Sequence, residues 1–77
     1  MIDENDPPYI PKVGSKWSDS NQVVYVVDQY NPPYPGRKAN VLFHKLDTKA
    51  TVVKRLSVVL STMWELGIGG WTPERLK

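Results

Sequence analysis

Three prolines within four residues, Pro32, Pro33 and Pro35, set the strongest constraint on what this chain can fold into. Each removes a backbone donor and fixes φ, so Asn31-Pro32-Pro33-Tyr34-Pro35-Gly36 cannot continue a strand and has to be a loop. Just before it, Val23-Val24-Tyr25-Val26-Val27 is the strongest strand signal in the sequence. Five β-branched or aromatic residues in a row predict a central strand covered on both faces, with Val24, Val26, Leu42 and Trp17 largely buried.

The remaining elements follow from similar local chemistry. Gly14-Ser15-Lys16-Trp17 reads as a short opening strand and Asp19-Ser20-Asn21 as a turn. After the proline loop, strands over 39–46 and 51–56 joined by Asp47-Thr48-Lys49-Ala50 make a β-hairpin. Residues 56–66 mix helical and strand signals: one helical turn is expected near 57–60 and a last short strand around 63–66. Gly67-Ile68-Gly69-Gly70 breaks whatever precedes it, and a capping Thr72 before Pro73 predicts a terminal helical turn over 72–75. Residues 1–12, acidic and then proline-rich, read as an arm outside a domain spanning 13–77. Residues 1–10 are expected to be dispensable for folding.

With 77 residues there is room for one domain and one core. Zero cysteines exclude disulfides, and a single histidine cannot supply the usual zinc ligand set, so packing alone must hold the fold. Four or five short strands separated by turns predict a mainly β fold, a small, partly open, SH3-like barrel. Across 13–66 the layout resembles that of small single-domain proteins of unknown function carried by bacteriophages and prophages. The features that carry the likeness are Val13-Gly14-Ser15-Lys16-Trp17, a turn, the valine-rich strand, a basic hairpin and Leu56-Ser57-Val58-Val59-Leu60. The resemblance implies an accessory role. No basic and apolar leader opens the chain and no apolar run is long enough to span a bilayer, so a cytoplasmic location without membrane attachment is expected.

Charge is unevenly distributed. The first ten residues hold three acids and no base, which leaves ten bases against five acids in 11–77, a net of +5. Arg37, Lys38, Lys45, Lys49, Lys54 and Arg55 form a basic stretch opposed only by Asp47. Cations on a ribbon beside aromatic rings can neutralise phosphates and stack bases, although regular alternation would put Thr51, Val53 and Arg55 on one face and Lys54 on the other. Lysines on such a hairpin also guard a sheet edge against aggregation.

The aromatic residues offer a second candidate surface. Trp17 is expected in the core, whereas Trp64 and Trp71 flank the glycine-rich segment and are candidates for partial exposure together with Tyr30 or Tyr34, where proteins often meet partners. The opposing expectation is that Trp71 folds back to cap an open end of the barrel. His44, within a strand and sharing a face with Leu42 and Leu46, lacks a nucleophile elbow or phosphate loop to work with. Catalysis, a cofactor and a small-molecule substrate are therefore not expected. The sequence favours a non-catalytic module that docks a protein through Tyr30, Tyr34, Trp64 and Trp71. Nucleic-acid binding by the basic 37–55 hairpin is the alternative.

Overall fold

In a computed structural model that describes residues 7–73, the chain forms β1 (Lys16–Ser18), β2 (Val24–Asn31), β3 (Asn40–Lys45), β4 (Thr51–Arg55), α1 (Leu56–Thr62) and β5 (Trp64–Glu65). All strand pairs are antiparallel, in the order β4-β3-β2-β1-β5. A meander whose last strand returns beside its first, with a short helix between β4 and β5, makes the expected small, partly open SH3-like barrel. No helix among the described residues is long and apolar enough to cross a membrane.

Both predicted turns form from the chemistry that predicted them. After β1, the Asp19 side chain accepts hydrogen bonds from the backbone N–H groups of Asn21 (2.9 Å) and Val23 (3.1 Å), closing an Asx turn into β2. After β3, the Ala50 carbonyl accepts from the Lys45 N–H at 2.9 Å, and this fixes the hairpin register in which Asn40 opposes Arg55.

The core lies on the opposite face of β2 and β3 from the one expected. Trp17 is fully buried as predicted, but its companions are Tyr25, Val27, Val41 and Phe43, while Val24, Val26 and Leu42 sit half-buried on the outer face. Because 23–27 is apolar on both faces, alternation alone cannot choose between them. Ring volume decides: Trp17 lies opposite Tyr25, and Tyr25 packs 5.7 Å from Phe43, centroid to centroid. β2 is thus the middle strand, yet only one of its faces is covered.

Helix α1 covers that inner face with Leu56, Val59 and Leu60, an i, i+3, i+4 stripe. It runs seven residues, longer than the single turn expected, because this stripe continues into the buried Met63. The chain then turns back sharply. The Glu65 N–H donates to the Trp71 carbonyl at 2.8 Å, and Gly70 passes so close that a Cβ there would lie 2.8 Å from the Glu65 carbonyl oxygen. Trp71 is thereby carried into the core, 4% exposed, where its indole N–H donates to the Leu60 carbonyl at 2.8 Å. The expectation of an exposed Trp71 is overturned; the ring caps the barrel.

The arm is also more than an appendage where it is described. Tyr9 packs 5.6 Å from the Trp71 ring and 6.1 Å from Trp17, its hydroxyl donates to the Glu65 carboxylate, and Pro11 is fully buried. Removing residues 1–10 would take Tyr9 from this aromatic cluster, which argues against the expectation that the segment is dispensable. Residues 1–6 and the expected helical turn beyond Pro73 lie outside the described residues.

The face assignment has a direct consequence. Val27→Asp places an unpartnered carboxylate in the core and should remove about 3 kcal/mol or more, a large share of a small domain's stability. Val26→Asp, on the outer face, should keep a cooperative thermal transition. Circular-dichroism melts of the two variants check this, and the reverse order would contradict the assignment.

Candidate functional site

The proline loop builds the most distinctive surface feature. Tyr34 and Arg37 exchange two backbone hydrogen bonds of 2.9 Å across Pro35-Gly36, and Gly36 has φ +83°. A type II turn requires positive φ at its third position, which Gly36 supplies, and favours proline at its second, which Pro35 supplies. The turn fixes two side chains next to one another: the Arg37 guanidinium lies 4.4 Å over the Tyr34 ring, which is 59% exposed.

Strand register brings more residues to this corner. Asn40 opposes Asn31 on one side and Arg55 on the other, and the Asn31 side-chain amide donates to the Asn40 side-chain oxygen at 2.8 Å. The result is an open depression of about 460 Å³ lined by Gly36, Arg37, Lys38, Asn40, Val53 and Arg55. Its three cations are exposed, and among the described residues none lies within salt-bridge distance of a carboxylate. In chemical terms the corner is a donor-rich, cationic concavity, one of whose cations stacks on an exposed aromatic ring.

The other members of the basic stretch are elsewhere. Lys45 and Lys49 lie at the opposite, turn end of the β3–β4 hairpin. Lys54 pairs with Val41 on the inner face, its ammonium 5.4 Å from the centroid of the Tyr25 ring. The aromatic set is dispersed as well. Trp71 is in the core, Tyr30 is half-buried against it, and Trp64 is half-buried on β5 opposite Ser18 of β1, whereas Tyr34 lies beyond the end of β2. Of the four predicted docking aromatics none lines the depression; Tyr34 alone is tied to it, through the Arg37 guanidinium over its ring. Asn40 and Val53 were not foreseen; the Asn40–Arg55 register was their available signal.

His44 Nδ1 lies 2.7 Å from Asp28 Oδ1 on the outer face, the aspartate being set there by a bulge between Val27 and Gln29. No group of three or more metal-ligating side chains occurs among the described residues. Burial pushes the Asp19 carboxyl up, but the Val23 and Asn21 N–H groups, the Tyr25 hydroxyl (3.1 Å) and the Lys54 charge together hold it below its ordinary value. Tyr25 is pushed up, by burial first and then by its bond to Asp19 and the charges of Asp19 and Asp47. The chain matches no protein-family model, no curated protein and no solved structure.

A carboxyl lowered on folding contributes stability that is present above its unfolded-state value and lost as pH falls through the folded-state value. Asp19→Asn should therefore destabilise the domain near neutral pH and reduce the loss of stability on acidification below about pH 4. Urea unfolding at neutral and acid pH measures both effects. Parallel pH profiles for the variant and the parent would show that Asp19 is not linked to folding.

Proposed function

We propose that this domain is a non-catalytic binding module that takes the phosphate backbone of a nucleic acid in the Arg37–Lys38–Arg55 depression. The observation that carries the reading is the convergence on one concavity of three exposed cations with no carboxylate partner among the described residues, with Asn40 as a further donor and Tyr34 against Arg37. Guanidinium and amide groups match phosphate oxygens, and each phosphate neutralised releases counterions. The module would then serve an accessory role of the kind implied by its likeness to small phage and prophage proteins.

Docking of a protein is favoured by a different observation. The 45–50 and 39–56 hydrogen bonds set the alternation along β4, so the backbone groups of Thr51, Val53 and Arg55 face away from β3. No strand among the described residues pairs with that edge, which an extended peptide could join. The cationic corner beside the edge favours the nucleic acid, because edge pairing alone does not use Arg37, Lys38 or Tyr34.

Fluorescence anisotropy with a labelled oligonucleotide tests the proposal. Binding should weaken steeply between about 50 and 200 mM salt, and changing Arg37, Lys38 and Arg55 to glutamine should flatten the slope by roughly two to three units. Changing Lys45 and Lys49 to glutamine should leave it almost unaltered. A slope indifferent to the first set, or a partner protein retained from lysate after nuclease treatment with no oligonucleotide binding, would contradict the reading.

A further inference from the structure

Resting on that reading, we infer that the site takes single-stranded nucleic acid, with one base stacked on the free side of the Tyr34 ring while the neighbouring phosphates lie against Arg37, Lys38 and Arg55. The inference concerns what the ring is for. Tyr34 is 59% exposed in a domain that buries Trp17, Trp71 and Phe43 and half-buries Trp64 and Tyr30. It is also held firmly: Pro33 and Pro35 flank it, two backbone hydrogen bonds close its turn, and the Arg37 guanidinium covers one side of the ring. A guanidinium over one side leaves the other as a platform of about the size of a pyrimidine. Because the turn backbone that carries the ring is already closed by two hydrogen bonds, stacking on it orders little main chain that was free beforehand.

The complement of such a platform is an unstacked base. In a duplex every base face is covered by its neighbours, so a protein ring can reach one only after opening the stack, whereas a single strand offers its faces at little cost. The elements around the depression fit this distinction. The one described helix turns Leu56, Val59 and Leu60 into the core, and its exposed side chains, Val58, Ser61 and Thr62, include no cation to seat it against the phosphates of a major groove. The depression is open along the sheet and carries donors rather than an apolar wedge, which suits a backbone lying across it. Val53, 59% exposed on its floor, gives a second base or sugar an apolar surface.

The test compares the intact chain with Tyr34→Ala and Tyr34→Phe for binding to an oligothymidine of about ten nucleotides and to a duplex of equal length. The single strand should bind more tightly than the duplex. Tyr34→Ala should weaken single-strand binding about tenfold, Tyr34→Phe should keep it, and neither change should alter the salt slope, because the ring neutralises no phosphate. Both variants keep the turn backbone and leave the core intact, so their melting temperatures should match that of the parent. Salt-dependent binding with equal affinity for strand and duplex, or with no loss on Tyr34→Ala, would overturn the stacking inference alone. Absence of binding to either nucleic acid would overturn the phosphate site as well.

Discussion

The hydrogen bond from the Trp71 indole to the Leu60 carbonyl is the interaction on which the rest of the structure depends. A helix leaves its last four carbonyls without partners, and Val59 and Leu60 are among those of α1. The Met63 N–H takes the Val59 carbonyl at 3.0 Å, and the indole takes that of Leu60 inside the core. One contact therefore satisfies two buried polar groups, positions α1 over the sheet, and brings the ring to Tyr9, which in turn meets Trp17. In a domain of 77 residues without cysteine, this closure stands in for the covalent staple that many small folds use. It also divides the molecule. One end is filled with aromatic rings, and the proline turn at the far end of β2 is left to carry exposed charge.

What could be read from the sequence followed from local chemistry. Three prolines fixed the loop, five residues without a polar one fixed β2, and the Asp47-Thr48-Lys49-Ala50 turn fixed the hairpin. These features constrain φ, backbone donors or side-chain period within a few residues of themselves. The inward face was hidden because Val24 and Val26 are as apolar as Val27, and the choice rests on Tyr25 meeting Trp17 and Phe43 from other strands. Trp71 was undecidable for a similar reason: its burial depends on Gly70 approaching Glu65 and on a helix carbonyl eleven residues back. Tyr9 lies still farther in sequence from Glu65 and Trp71, two of the residues it meets.

The candidate site shows the same division. All six cations of the basic stretch were visible, but composition could not say which three meet. Register does so. Once Lys45 opposes Ala50 across the turn, Arg55 must oppose Asn40, next to Arg37 and Lys38, while Lys54 must turn inward beside Val41. The stack of Arg37 on Tyr34 is equally a product of turn type, since a type II turn with Gly36 at positive φ sets residues 34 and 37 side by side. One residue from the aromatic set and three from the basic set thus form a single surface that neither set described.

The central claim is that recognition takes place at this corner and not at the aromatic end or along the lysines of the hairpin turn. Amide chemical-shift mapping of the labelled domain, titrated with a short single-stranded oligonucleotide, tests it most directly. The account predicts that the largest changes fall on Tyr34, Arg37, Lys38, Asn40, Val53 and Arg55, and that Trp64, Lys45 and Lys49 stay near their free positions. Shifts concentrated on Trp64 or on the 45–50 turn, with the Tyr34–Arg37 corner unmoved, would contradict it.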